Sequence, residues 1–231
     1  AYLACIFLVG IPILISEVTL GRAGRRSPIN TMRFVAEKSE AAPGWQVIGW
    51  MGALAGFMIL SFYAVIAGWA FAYLIEIASG SFVGANADYA ADSFSELVSN
   101  PWTVSGWHSV FMALTILIAA RGVSKGLELT VKYLMPTLFF LLVALVLWAA
   151  VTSGHFLEGI AFMFSFKADA FSGDALLLAM GQAFFTLSLG MGALMAYGAH
   201  LPRSAPIVGS AVTIALLDTC VALLSGMVIF P

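Results

Sequence analysis

Apolar residues in this chain are grouped into runs long enough to cross a bilayer, and polar stretches separate the runs. A hydrocarbon core needs roughly 20 mostly apolar residues per helix, whereas core helices of soluble proteins are shorter and apolar on one side. The pattern therefore predicts an all-α, polytopic membrane protein with a single incomplete transmembrane domain over residues 1–231. The six predicted spans lie near residues 2–20, 45–78, 107–120, 127–152, 175–199 and 205–231.

Two of the predicted spans have unusual lengths. The second is too long to cross perpendicular to the bilayer, so we expect it to tilt or to project beyond the membrane. The third is short, so we expect its helix to extend beyond the apolar run, to either side.

The basic residues predict the orientation of the spans. Nine of the ten lie in stretches that are two spans apart and hence on one side of the membrane: Arg22, Arg25, Arg26, Arg33, Lys38, Arg121, Lys125, Lys132 and Arg203. Only Lys167 lies on the opposite side of the membrane. The stretches on that side also contain Asp88, Asp92, Glu96, Glu158, Asp169 and Asp174. The positive-inside rule then predicts a protein of the cell membrane with loops 21–44, 121–126 and 200–204 in the cytoplasm.

Composition excludes a soluble domain, because 61% of the residues are hydrophobic and 10% are charged. The lipid bilayer is the predicted surrounding, and without a basic arm or stripe no nucleic-acid partner is expected. Cys5 and Cys220 lie in apolar runs and are interpreted as small buried hydrophobes. Both ends of the chain fall within apolar runs, which predicts an internal piece whose partners include the remaining helices of a parent protein.

The fifth predicted span contains a segment that weakens a helix at mid-membrane, GQAFFTLSLGMG at 181–192. Glycine, threonine and serine lower helix propensity, and the hydroxyls can satisfy freed backbone groups. One interpretation is close helix packing through small residues. The other is an unwound segment whose carbonyls coordinate a cation or an ammonium group beside a half-helix dipole.

Two acidic residues lie inside apolar runs. Asp218, about midway along the last span, costs about 2.5–3.5 kcal/mol at that depth unless a cation offsets it or the carboxyl is protonated and hydrogen-bonded. Glu17, one turn before Gly21, either pairs with Arg22 or Arg25 at the interface or braces another helix.

Catalytic motifs are absent from the sequence, which contains no HExxH, no GxSxG and no Gly-rich phosphate loop. His108, His155 and His200 lie at predicted span ends. We therefore expect no enzymatic activity and no cofactor.

Along its whole length the chain resembles the bacterial amino-acid-transporting branch of the sodium:neurotransmitter symporter family. The resemblance rests on GIPILISEVTLGRAG at 10–24, the region of Tyr63 and Trp69, RGVSKGLE at 121–128 with Met135-Pro136, GQAFFTLSLGMG at 181–192 and DTCVALLSGMVIFP at 218–231. It implies a partial inverted-repeat sodium-symporter fold in which the six spans match family helices two to seven of about twelve, the fifth being broken near 186–192.

The resemblance also implies the ion sites. Thr186 matches a sodium ligand through its hydroxyl and main-chain oxygen, and Asp218 falls where the family usually has an asparagine ligand of that sodium. Tyr2, Gln182, Asp218 and Ala222 match positions around the chloride of chloride-dependent members. Because Ala222 cannot donate a hydrogen bond and the Asp218 carboxylate can supply the negative charge, the match implies chloride independence.

The substrate pocket implied by the resemblance is lined by Ile59, Tyr63, Phe185, Thr186, Ser188 and Met191. Tyr63 would bond the substrate carboxylate, and carbonyls near Phe185 and Ser188 would receive its ammonium group. The apolar wall favours a neutral, hydrophobic or aromatic amino acid. Glu17, Gly190 and Gly192 would support the unwound segment.

The predicted function is symport of that amino acid with sodium as the coupling ion. Two alternatives remain at this point: a channel-like protein that uses the break as a gate, and a truncated or structural membrane protein that does not transport. Rings of like charge or repeated filter loops would favour the channel, and neither is visible in the sequence.

Overall fold

The structure, a computed structural model, describes residues 1–165 and 172–230, with the backbone alone for residues 87 and 123–125. Lys167 and Asp169 of the predicted outer stretch, and the last residue Pro231, lie outside the described residues. Every regular element in the described parts of the chain is helical, so the predicted all-α class is confirmed.

Ten helices are numbered here within the described residues, and shorter helical turns precede two of them. Their bounds are α1 Tyr2–Gly24, α2 Pro28–Lys38, α3 Gln46–Ala78, α4 Ala87–Ser99, α5 Pro101–Ala120, α6 Leu129–Thr152, α7 Phe156–Phe164, α8 Gly173–Thr186, α9 Ala193–His200 and α10 Ile207–Ile229. A 3₁₀ turn at Pro43–Trp45 leads into α3, and a π-helical turn at Val123–Glu128 leads into α6.

Five of these helices, with their leading turns, are long and apolar enough to cross a bilayer among the described residues: Tyr2–Gly24, Pro43–Ala78, Pro101–Ala120, Gly126–Thr152 and Ile207–Ile229. The stretch predicted as the remaining span, residues 175–199, forms two shorter helices, α8 and α9. At 33 residues, α3 extends for about 50 Å at 1.5 Å per residue, well beyond the thickness of the hydrocarbon core.

The first helix contains a π-helical segment, Ile6–Gly10, that the hydrophobic pattern does not predict. Pro12 follows it, and a proline inside a helix lacks an N–H group and crowds the carbonyl four residues earlier. The wider turn accommodates this defect, since the Ile11 N–H bonds to the Ile6 carbonyl five residues back.

Helix α5 corresponds to the third predicted span and begins at Pro101, earlier than the predicted start near residue 107. The reason is local, because the Asn100 side chain accepts hydrogen bonds from the Trp102 and Thr103 N–H groups and proline suits the first helical position. The polar stretches between predicted spans are also partly helical. They contain α2, α4 and α7, with Asn86 capping α4 through the Tyr89 N–H.

The chain divides into two compact units. The first combines Ala1–Gly56 with Pro136–Pro231, and the second is Phe57–Met135. In the second unit, Gly68 of α3 lies against the backbone of His108 on α5, and Trp69 makes an edge-to-face contact with Phe94 of α4.

The core of the first unit surrounds the gap between α8 and α9. Its buried side chains come from α1, from residues 183–194 and from the first half of α10: Cys5, Ile6, Leu14, Val18, Ala183, Leu187, Leu189, Leu194, Ile207, Ala211 and Ala215. Cys5 is buried, but Cys220 on α10 is exposed, so its predicted burial is wrong for the described chain. Large apolar side chains are exposed on α3, α5, α6 and α10, as expected where lipid is the solvent.

Candidate functional site

The break in the fifth predicted span begins at the end of α8. The Leu189 N–H bonds to the Phe184 carbonyl and the Ser188 N–H to the Phe185 carbonyl, which is the Schellman pattern of helix termination. Ser188 occupies the left-handed position of this motif, with φ of 55°, where glycine is usual. The helix therefore stops at Thr186, and α9 resumes at Ala193.

Backbone carbonyls are left unpaired by this termination. Within the described residues, no backbone hydrogen bond ends on the carbonyl oxygens of residues 186–191. Gly190 and Gly192 also adopt positive φ, at 78° and 72°. Free carbonyls at membrane depth are tolerated where they are buried in protein or line a polar cavity, so the segment can present oxygen ligands.

Thr186 and Asp218 lie side by side at the start of the break. The Thr186 hydroxyl donates to Asp218 Oδ2 at 3.0 Å, and both residues are half-buried. The Tyr2 side chain lies beside both of them. Its hydroxyl is shielded from solvent and has no well-formed hydrogen bond among the described residues. The hydroxyl groups of Thr186 and Tyr2 and the carboxyl group of Asp218 thus lie together at the end of α8.

Glu17 contacts the second half of the break, at Gly190. It is only 6% exposed, and its Oε1 accepts a hydrogen bond from the Gly190 N–H at 2.6 Å. Arg22 and Arg25 donate instead to the carbonyls of Ala205 and Leu201, at 2.6 and 3.0 Å. The interpretation of Glu17 as an interfacial partner of these arginines is therefore wrong, because its carboxylate turns inward to an unwound backbone.

The half-helix α9 is packed closely on the second half of α1. A Cβ at Gly21 would overlap the main chain of Met195, and a Cβ at Gly198 would lie 2.5 Å from the Val18 carbonyl oxygen. Gly52, near the start of α3, lies against the backbone of residues 190–192. Contacts this close fix the position of α9 relative to α1.

Three of the four positions matched to the chloride site line one cleft, and Asp218 is not in its lining. Tyr2, Gln182 and Ala222 line a cleft of about 400 Å³ together with Phe162, Met163, Leu223, Gly226 and Phe230. Its lining is mostly apolar, and the Ala222 methyl group offers no hydrogen-bond donor there.

The positions matched to the substrate pocket fall in both units. Phe185, Thr186, Ser188 and Met191 lie at the break in the first unit. Phe185 is exposed, whereas Ser188 and Met191 are half-buried. Ile59 and Tyr63 lie on α3 within the second unit, where the Tyr63 ring contacts Phe62 edge-to-face at 6.1 Å.

Sequence reasoning missed three features of this region: the left-handed Ser188, the arginine bonds to the turn after α9, and the glycine contacts between α1 and α9. A sequence signal for the last is the small residue Gly21 near the end of a span. The arginine bonds join residues more than 170 positions apart, so no local pattern reports them.

The fold and this region together define an α-helical membrane protein with a discontinuous helix. The profile described as "Sodium:neurotransmitter symporter family" matches residues 1–90 and 90–231. The chain belongs to the sodium:neurotransmitter symporter family.

Individual relatives agree with this assignment. The chain is 39% identical to the "Uncharacterized sodium-dependent transporter YhdH" of Bacillus subtilis, over 97% of the chain and 49% of that protein. It is 23% identical to the "Sodium-dependent neutral amino acid transporter B(0)AT2" of Pongo abelii, over 99% of the chain and 34% of that protein. The chain thus spans about half, or less, of the length of these relatives.

A solved structure provides a further comparison. The crystal structure of MhsT in complex with L-phenylalanine superposes with a TM-score of 0.90 at 43% identity, covering 100% of this chain and 51% of MhsT. The predicted fold class is therefore confirmed, including the partial symporter fold with a broken helix.

Proposed function

We propose that the protein containing this chain couples the inward movement of sodium to uptake of a neutral amino acid. The observation that supports this most strongly is the 3.0 Å contact between the Thr186 hydroxyl and the Asp218 carboxyl group at the end of a broken helix. A helix interrupted at membrane depth is costly unless its free backbone groups serve a purpose, and transport sites of this fold class use such groups.

Sodium is the proposed coupling ion because the groups gathered here are oxygen donors that suit a hard cation. Thr186 would contribute its hydroxyl and main-chain oxygen, and Asp218 its carboxylate. An ionised carboxylate at this depth is stabilised by a bound cation, which offsets its desolvation cost.

The proposed substrate is a hydrophobic or aromatic amino acid. Carbonyls near Phe185 and Ser188 would receive the ammonium group, Tyr63 would bond the carboxylate, and Ile59, Phe185 and Met191 would form an apolar wall. The phenylalanine bound to MhsT and the neutral amino acids in the name of B(0)AT2 support this class.

Coupling would follow from the shared segment. Thr186 and Ser188 are two residues apart, so a sodium ion that orders this backbone also prepares the carbonyls that receive the substrate. Sodium would favour the state that is open to the outside, and the loaded transporter would then open to the cytoplasm.

The proposed location is the cell membrane, with residues 21–44, 121–126 and 200–204 in the cytoplasm and remaining helices of the full-length protein as partners. Chloride independence is part of the same proposal, because Asp218 carries the charge and Ala222 lacks a donor. We propose no catalytic role.

Uptake by the full-length protein in proteoliposomes tests the proposal. Radiolabelled phenylalanine and leucine should accumulate when sodium is outside and should not accumulate when potassium replaces it on both sides. Equal uptake with and without a sodium gradient would contradict symport. Passage of ions without any amino acid would favour the channel alternative.

Asp218→Ala removes the carboxylate next to Thr186 and is expected to abolish sodium-dependent uptake, a loss of at least about a hundredfold if roughly 3 kcal/mol of ion binding is removed. The matched control is Asp92→Ala, which removes an exposed carboxyl group on α4 and should transport normally. Wild-type uptake by Asp218→Ala would show that the carboxylate is not a ligand.

A further inference from the structure

The turn between α9 and α10, residues 201–206, is bonded to two arginines at the end of α1. Arg22 Nη1 donates to the Ala205 carbonyl oxygen at 2.6 Å, and Arg25 Nη2 donates to the Leu201 carbonyl oxygen at 3.0 Å. Arg22 lies in the last turn of α1 and Arg25 directly follows the helix in the left-handed conformation that ends it, so the two side chains reach the two ends of one turn.

The Leu201 carbonyl is a group that a helix end leaves without a partner. Leu201 follows the last residue of α9, and the final carbonyls of a helix need donors from outside the helix. A guanidinium group supplies a charge-assisted hydrogen bond there and also complements the negative end of the helix dipole. Arg22 is half-buried, which protects its bond from competition with water.

No carboxylate competes for these two arginines among the described residues. The ion pairs there are Arg33 with Glu37 and His155 with Glu158. Glu17, the acid nearest to them on α1, bonds to Gly190 instead. Arg22 and Arg25 are therefore directed to the turn.

The same helix also contacts the break and α9. Glu17 bonds to Gly190, and Gly21 lies directly against the main chain of Met195. Thr186 lies on the near side of the break, whereas Asp218 lies beyond the turn on α10. How the turn joins α9 to α10 therefore affects the separation of the two proposed ligands.

We propose that Arg22 and Arg25 are positioning residues that hold the turn at 201–206 and thereby set the geometry of the Thr186 and Asp218 pair. They contact neither sodium nor substrate. The inference rests on the proposed function, because its consequence is the affinity for sodium. Loosening the turn should weaken sodium binding while the sodium ligands themselves are unchanged.

Hydrogen exchange of the full-length protein tests the contact without reference to transport. In Arg22→Gln, the amides of Leu201, Arg203, Ser204 and Ala205 should exchange roughly tenfold faster than in the wild type, the effect of losing one charge-assisted bond. Arg33→Gln is the matched control, since Arg33 is paired with Glu37 on the exposed surface of α2. Unchanged exchange in Arg22→Gln would overturn the proposal.

The sodium concentration that gives half-maximal uptake tests the consequence. Arg22→Gln should raise it roughly tenfold, with little change in the maximal rate. Arg22→Lys, which keeps the charge but loses the planar fork, should restore part of the affinity. Arg33→Gln should match the wild type.

The outcomes separate the two proposals. Faster exchange with an unchanged sodium requirement would make the arginines merely structural and would overturn the positioning role. Lower amounts of folded protein with unchanged sodium affinity would do the same. If the wild type shows no sodium-dependent uptake, the proposed function and the sodium consequence fail, whereas the exchange rates still decide whether the arginines hold the turn.

Discussion

Ser188 adopts a conformation that usually requires glycine, and it lies two residues beyond Thr186, the last residue of α8. An L residue in the left-handed region costs roughly 1–2 kcal/mol relative to the right-handed one. The residue persists there because the Schellman bonds and the buried Leu187 and Leu189 on either side fix the backbone.

The effect of a substitution at Ser188 on stability should depend on how well the new residue tolerates the left-handed conformation. Ser188→Gly is expected to keep the carbonyl oxygen and the uptake activity, with stability unchanged or raised by up to about 1 kcal/mol. Ser188→Val, which is branched at Cβ, should be destabilised by about 1–2 kcal/mol. Thermal unfolding in detergent measures the stability of both variants. A Ser188→Val variant more stable than the wild type would contradict the left-handed conformation.

Glu17 provides the second test at this scale, because its role is to accept a hydrogen bond inside the protein. Glu17→Gln retains an oxygen of the same reach for the Gly190 N–H and should keep most of the uptake. Glu17→Leu leaves that N–H buried without a partner, which costs about 1–3 kcal/mol.

Uptake assays and unfolding midpoints of both Glu17 variants distinguish an acceptor from a required charge. Equal loss of uptake in the two variants would show that the negative charge itself is needed. Equal retention would show that the bond to Gly190 contributes little.

At the scale of elements, the sequence predicts what depends on short-range pattern. The long apolar runs predict the helices, and glycine, threonine and serine at 181–192 predict the interruption in the fifth span. Asp218 is conspicuous because a carboxyl group in an apolar run is costly. These signals need no knowledge of the neighbouring helices.

The sequence does not predict features that arise from contacts distant along the chain. The partner of Glu17 is 173 residues away, so the residues around Glu17 do not decide between pairing with Arg22 or Arg25 and bracing another helix. The left-handed residue was not expected at a serine, and the π-helical turn before Pro12 is hidden inside a uniform apolar run. The helix α4 was missed because its polar composition resembles that of a loop.

The close packing of α9 on α1 leads to a prediction about glycine. Gly21→Ala places a methyl group against the Met195 main chain, which cannot move aside as a side chain can, and overpacking of this kind costs about 1–3 kcal/mol. We expect a lower unfolding midpoint and reduced uptake. Gly106→Ala on α5 is the control, because a Cβ there meets open space within the described chain.

The unfolding midpoints of the two glycine variants should therefore differ, with that of Gly21→Ala lowered and that of Gly106→Ala unchanged or raised. Alanine stabilises a helix interior by about 0.5–1 kcal/mol relative to glycine, so Gly106→Ala should be neutral or stabilising. A Gly21→Ala variant as stable as Gly106→Ala would mean that α9 is not held against α1 as described.

At the scale of the whole molecule, the chain corresponds to part of a longer relative. It spans about half the length of YhdH, and the proposed sodium ligands within it are Thr186, Asp218 and the carbonyls of the break. A second sodium site of the family, as implied by the resemblance, would use helices outside this chain. Uptake therefore has to be measured on the full-length protein. The contacts of α1 with the break, in contrast, lie entirely within this chain.

The balance of charge in the membrane leads to the last prediction. A sodium ion at mid-membrane needs a negative charge nearby, and in the proposed mechanism an ionised Asp218 would supply one that cannot diffuse away. Chloride would then be unnecessary, and the Ala222 methyl group offers it no donor in the cleft that Tyr2 and Gln182 also line. Replacing chloride by gluconate should leave uptake unchanged, and a fall in uptake would show that the carboxylate does not serve as the counter-charge. The double variant Asp218→Asn with Ala222→Ser removes the fixed charge and adds a donor, so it should transport only when chloride is present.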